Sequence, residues 1–394
     1  RQANVLEMIA SENYTSQAVM EAVGSVLTNK YAEGYPKARY YGGCENSDIV
    51  EQLAIDRAIK LFKVDHANVQ PHSGSQANLA AYNALMNVGE KALALGLDHG
   101  GHLTHGHKVN ITGKLYNFSH YGVRQDDELI DYDQMRDLAI NNKPQVIVIG
   151  TTAYPRNLDF QRAKQIADEV GAFLLADIAH ISGLVAANVH PSPVGFADVI
   201  TMSTHKTLRG PRGGMILCNA NIAKKIDKAV FPGSQGGPLM HVIAGKAVAY
   251  QEASTEEFIN LQKNTVSNAK VLSEKLQNGG LRLVSGGTDN HLILVDVTSL
   301  KLNGKDAEDL LASCGIIVNK NAIPYDNLPP TITSGIRIGT PALTSRGFGH
   351  KEMEKVGEII VNVLQSKDNM VIKNALETVI ELCKEFPAPG IVVR

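Results

Sequence analysis

Between residues 66 and 218 the chain runs repeatedly into short stretches that are almost wholly apolar: KALALGL (91–97), QVIVIG (145–150), AFLLADI (172–178), ADVITMS (197–203) and GMILC (214–218). Each has the length of a strand, and none alternates strictly between apolar and polar residues as a half-exposed strand does. Strands covered on both faces belong to parallel sheets, whose crossover connections lay helices over each side. One such helix is legible between two of the runs, QRAKQIADEV (161–170), stopped by Gly171. The expected fold class is therefore α/β, with a mostly parallel central sheet flanked by helices. In such sheets ligands sit beyond the carboxyl ends of the strands.

The chain's 394 residues predict more than one domain. Residues 1–45 are loop-rich and read as an N-terminal arm and interface segment, residues 46–255 as a large domain, and residues 256–394 as a smaller α+β domain. Early in the large domain, Asp48 and Glu51 fit a capping box, followed by an apolar stripe of Val50, Leu53, Ala54, Ala58, Leu61 and Phe62. In the last third, strand-like LILVDV (292–297) and GIRIG (335–339) precede two amphipathic helices near 350–365 and 371–386.

Charge removes some partners. With 38 basic against 40 acidic residues the net charge is −2, so no excess of positive charge exists to attract nucleic acid. No apolar run is long enough to span a membrane. The four cysteines, Cys44, Cys218, Cys314 and Cys383, lack metal-type spacing and read as reduced thiols in a cytoplasmic setting. The sequence opens on Arg1 rather than Met, and no targeting segment is visible within it.

The residues near the strand ends match the needs of one cofactor, pyridoxal 5′-phosphate (PLP). It requires a lysine amine for its aldehyde, a holder for its phosphate, a carboxylate for its ring nitrogen, and a cation for the substrate carboxylate. Lys206 follows the run ADVITMS directly, in STHKTLRGPRGG. Asp177 interrupts the apolar LLADI, where a buried carboxylate calls for a charged, hydrogen-bonding partner. The turn SGSQAN (73–78) precedes the helical LAAYNALM and offers an anion site at a helix start. Arg337, between Ile336 and Ile338, points to the opposite strand face from both and could grip a carboxylate in two-pronged fashion. The histidines of HGGHLTHGH (99–107) could converge on a metal, but their glycine-rich loop is a poor frame for one, and an imidazole lying on a flat ring is the preferred use. No metal is expected.

With these residues in place, the chain resembles the serine hydroxymethyltransferase family almost end to end, through IASENYTS, LTNKYAEGYP, RYYGGCE, NVQPHSGSQAN, HGGHLTHG, STHKTLRGPRGG, VFPGSQGGPL, SGGTDNHL and TSGIRIGTPA. The resemblance implies a fold-type I PLP transferase that interconverts serine and tetrahydrofolate with glycine and 5,10-methylenetetrahydrofolate. It implies Lys206 as the cofactor lysine, Asp177 at the ring nitrogen, and Ser73, Gly74 and Ser75 at the phosphate, with Tyr31, Gly236 and Gly237 supplied by a partner subunit. His102 would lie on the ring, His180 near its phenolic oxygen, and Ser203 and His205 beside the lysine. Ser11 and Arg337 would hold the substrate carboxylate, and Glu33 would act as acid–base group near the substrate hydroxyl, with Tyr40 and Tyr41 nearby. Folate would meet Leu97, Gly101, His102, Leu103, Asn321, Pro330 and Thr331. Shared sites imply a homodimer or larger assembly. The chain departs from the family's usual wording at Lys37-Ala38, Thr152 and Met202-Ser203-Thr204, and its N-terminal arm reads as short. A folate-independent lyase of the threonine-aldolase kind and a catalytically inactive homologue are the rival readings.

Overall fold

The computed structural model describes residues 1–391. Its main sheet has seven strands, in the spatial order His66–Asn68, Gly214–Cys218, Val199–Ser203, Phe173–Asp177, Val146–Gly150, Lys91–Leu95 and Asn117–Tyr121. From Val199–Ser203 to Asn117–Tyr121 all pairings are parallel. Every apolar run read from the sequence forms a strand, but Gly214–Cys218 runs antiparallel to both neighbours. Only residues 204–213 separate it from Val199–Ser203, too few for a crossover, so the chain turns straight back. Two edge strands escaped the sequence reading. His66–Asn68 is very short, and NFSHY (117–121) is largely polar because an edge strand is less covered.

Along the central strands successive side chains enter opposite cores. Ile147 and Ile149 pack on the side of the helices Glu45–Phe62, Phe160–Val170 and Met240–Ala253, while Val146 and Val148 pack against Gly74–Leu85 and Ala223–Val230. The helix 160–170 ends as expected, with Gly171 left-handed at φ 71°.

The capping-box expectation fails. The helix starts at Glu45, with Cys44 at its cap, so Asp48 lies inside the first turn. Asp48 and Glu51 instead pair with Arg39, at 2.8 and 2.6 Å. Leu53 of the predicted stripe is exposed, and the buried face runs through Ser47, Glu51, Ala54, Ala58 and Phe62. The carboxylate that the local pattern assigned to a cap is instead buried in an ion pair with Arg39.

The second core surrounds a four-stranded antiparallel sheet, ordered Arg282–Leu283, Leu292–Asp296, Gly335–Gly339, Asn319–Asn321, and includes both predicted C-terminal helices, His350–Ser366 and Asn369–Glu385. The long helix Glu256–Asn278 joins the cores, with Phe258 and Val266 in the first and Leu272 and Leu276 in the second. Leu6–Glu7 pairs in parallel with Ile316–Ile317, which places Leu6 and Met8 in the second core. Among the described residues no helix is long and apolar enough to cross a membrane.

Candidate active site

Strand register brings the site together. Asp177 ends one central strand, and Ser203 ends the next. The two strands are hydrogen-bonded neighbours with Asp177 opposite Thr201, and Lys206 follows three residues beyond Ser203. Their carboxyl ends open into a cavity of about 350 Å³ lined by Ser11, Ser73, Gly74, Ser75, His102, Asp177, His180, Ser203, His205, Lys206 and Arg337. Asn78, Thr152 and Arg212 also line it, none of them given a role from the sequence.

Asp177 is held from several sides. Its Oδ2 accepts from Asn78 Nδ2 at 2.8 Å and from His105 Nε2 at 3.0 Å, and its Oδ1 accepts from the Ala179 amide at 3.0 Å. Burial alone would raise the carboxyl's pKa. The hydrogen bonds from His105 and Asn78 outweigh that and hold it well below the usual carboxylate range. Asn78 is itself fully used, donating to Thr104 Oγ1 at 2.8 Å and accepting from Thr201 Oγ1 at 2.5 Å. Asp177 is thus an anion at any ordinary pH, with an oxygen open to a further donor.

Lys206 is partly exposed, into the cavity. Burial pushes its ammonium down to about 8, while the Asp177 carboxylate works against that shift. The free amine, which is the nucleophilic form, is therefore accessible near neutrality. His180 is buried and kept neutral by burial and by the Lys206 and Arg337 cations. His102, pushed down to about 4 by burial, accepts from the Thr104 amide on Nδ1 at 3.2 Å and is neutral as well.

At one end of the cavity Ser73 caps the helix Gly74–Leu85, its Oγ accepting from the Gln76 amide at 3.2 Å. The helix starts earlier than the sequence reading placed it, so Gly74 and Ser75 form its first turn, where amides without intrahelical partners favour an anion. At the other end Arg337 is buried, with Nε donating to Asn319 Oδ1 at 3.1 Å and Nη1 to the Thr152 carbonyl at 2.8 Å. Nη2 is left for a ligand.

Other expected residues lie apart. Tyr31, Glu33, Tyr40, Tyr41, Gly236 and Gly237 do not line this cavity. The three tyrosines are exposed on the outer surface, and Tyr31 and Glu33 rest against Gly237 and Gly236. Leu97 and Pro330 border an adjoining cavity of about 630 Å³, and His102 stands between the two cavities. Gly101, Leu103, Asn321 and Thr331 are not among its walls. A separate cavity of about 570 Å³, lined by Arg209, Glu252 and Glu257, contains none of the expected groups.

The histidine loop does bring His102 and His105 within reach of Asp177, with ligand-type atoms within 4.8 Å of one another. The 3.0 Å contact between His105 and Asp177 is a hydrogen bond. His105 is the main residue the sequence reading left without a role. Its only signal was membership of the cluster.

The residues present fit PLP. Asp177 has an oxygen free for a protonated ring nitrogen, a depressed lysine amine stands in the same cavity, and a helix N-terminus faces it. A lysine and an aspartate at adjacent strand ends of such a sheet define a fold-type I PLP-dependent enzyme. The chain belongs to the serine hydroxymethyltransferase family, whose model matches residues 1–360. It is accordingly a one-carbon transferase that uses PLP and interconverts serine and tetrahydrofolate with glycine and 5,10-methylenetetrahydrofolate.

Proposed function

We propose that this reaction runs in the cavity shared by Lys206, Asp177 and Arg337, in an assembly of at least two copies. The observation that carries the reading is the presence of these three side chains on one 350 Å³ cavity. PLP, when bound, supplies an aldehyde for an amine and a protonated ring that draws electrons from the substrate's Cα. Lys206 would hold it, Asp177 would keep its ring nitrogen protonated, and Ser73, Gly74 and Ser75 would receive its phosphate.

The rest falls to the protein's own groups. Arg337 and Ser11 orient the serine carboxylate, which fixes the bond to be broken. His102 and His180, both neutral, add no positive charge that would compete for Asp177. His205, pushed down to about 4 by burial and by Arg212, sits neutral beside the lysine. Glu33 takes and returns the hydroxyl proton. In one chain Glu33 lies outside the cavity, so it serves the cavity of a second copy, together with Tyr31, Tyr40, Tyr41, Gly236 and Gly237. The exposure of Tyr31, Tyr40 and Tyr41 at 57%, 73% and 50%, with Val26 and Ile49 also exposed in the neighbouring sequence, supports such an interface. Folate enters through the adjoining cavity past Leu97 and Pro330, and Gly101, Leu103, Asn321 and Thr331 would contact it from outside those walls.

Residues 46–255 and 256–394 act as large and small domains, with 1–45 as the segment exchanged across the interface. Four buried, unpaired cysteines support a reducing, cytoplasmic setting. Serine cleavage measured with and without tetrahydrofolate tests the reading. Strong stimulation by folate is expected, and equal rates would favour a folate-independent lyase.

A further inference from the structure

Lys246 is among the most deeply buried charged residues, only 1% exposed, and no catalytic role falls to it. It lies on the helix Met240–Ala253, beneath the turn that leads into Ser73. All three of its N–H groups are used on backbone carbonyls: Val69 at 2.6 Å, Pro71 at 3.0 Å and Gly214 at 2.7 Å. A buried ammonium is expensive to desolvate, and burial pushes this one down to about 7. The three carbonyl dipoles and the nearby Glu51 carboxylate favour its charged form.

These carbonyls are not arbitrary. Pro71 lies two residues before Ser73, and its carbonyl also accepts from the Gly214 amide at 2.9 Å. Gly214 packs so closely on the Ser73 turn that a Cβ there would come within 2.3 Å of the Ser73 carbonyl. A Cβ on Gly213 would come within 2.6 Å of Lys246 Cε, so both glycines are needed for the lysine and the turn to close together. Gly213 in turn accepts from the Thr204 amide at 3.0 Å, two residues before Lys206. One ammonium therefore sits at the junction of the anion-binding turn and the return strand behind the cofactor lysine.

We propose that Lys246 is a positioning residue that sets the shape of the phosphate cradle, acting through the carbonyls of Val69, Pro71 and Gly214. This rests on the assignment of Ser73, Gly74 and Ser75 to the cofactor phosphate. It distinguishes a local setting of the cradle from general support of the fold.

The test compares binding of PLP with binding of pyridoxal, which lacks the phosphate, by the full-length protein stripped of cofactor. Lys246→Met keeps the stem and removes the donors, and Lys246→Gln keeps two N–H groups. For Lys246→Met, PLP affinity is expected to fall roughly ten- to a hundredfold, the effect of losing charged hydrogen bonds, while pyridoxal affinity stays at the wild-type value. Lys246→Gln should recover part of the loss. Equal weakening for both ligands, or no weakening for either, overturns the inference and leaves the cofactor assignment standing. If neither variant folds, Lys246 is a folding element and the inference is likewise overturned. Failure of the wild-type protein to bind PLP would instead remove the assignment on which the inference rests.

Discussion

His105 donates from Nε2 to Asp177 Oδ2 at 3.0 Å, and its other ring nitrogen accepts from the His102 amide at 3.3 Å. Because a carboxylate can only accept and an amide N–H can only donate, the imidazole is fixed as the Nε2–H tautomer. The two ring nitrogens thus connect the loop that carries His102 to the carboxylate that would face the cofactor ring. Asn78 adds a second donor to the same oxygen, and the whole cluster is buried.

An acid-stability difference follows for the protein without cofactor. A depressed carboxyl contributes stability that is present above its unfolded pKa, about 3.9, and is lost as pH falls below it towards the native value. Urea unfolding between pH 5 and pH 3 should therefore show wild type losing more stability than Asp177→Asn. Parallel losses would mean that the hydrogen bonds to Asp177 do not hold it ionised.

Lys206 should react as an amine of pKa about 8. The rate at which the stripped protein captures PLP is expected to rise about tenfold per pH unit below 8 and to level off above it. Stopped-flow absorbance gives the profile, and a midpoint near 10.5 would show an ordinary solvated lysine. Lys206→Ala should abolish borohydride-fixable cofactor, and persistent labelling would mean that another lysine carries it.

Arg337→Ala removes the proposed contact to the substrate carboxylate, together with the bonds to Asn319 and the Thr152 carbonyl, but no group assigned to the cofactor. KM for serine should rise about a hundredfold, in line with the loss of a buried, charge-assisted hydrogen bond, while PLP affinity changes little. Equal losses for serine and PLP would discard the role. Arg337→Lys should restore only part of the affinity, because an ammonium cannot bind a carboxylate in two-pronged fashion.

Mixing two inactive variants tests whether sites are shared. In a heterodimer of Lys206→Ala with Glu33→Ala, one cavity would combine an intact lysine with an intact glutamate from the other chain. Random reassortment should then recover about one quarter of wild-type activity, since half the dimers are mixed and each has one whole site. No recovery would place Glu33 in its own chain's cavity.

The large sheet was legible because its central strands are covered on both faces and so read as unbroken apolar runs. Edge strands such as NFSHY carried no such signal. Lys206, Asp177 and Arg337 were legible as polar residues set in or beside apolar strands, and the structure brings them to one cavity. Asn78, Thr201 and His105 were not, because their role depends on contacts between residues distant in sequence. The Arg39–Glu51 pair misled the helix reading for the same reason: the local pattern resembled a cap, and the carboxylates' partner lay outside the helix.

The pairing of Leu6 with Ile316 has a consequence for biosynthesis. The strand Leu6–Glu7 has no partner until synthesis has passed residue 316, so Leu6 and Met8 stay uncovered while the seven-stranded sheet assembles beside them. Contacts between such distant points of a chain form late and leave apolar surface open to aggregation in the interval. Completion of the C-terminal half, rather than of the sheet that holds the lysine, is then the step at which the newborn chain becomes safe from its neighbours.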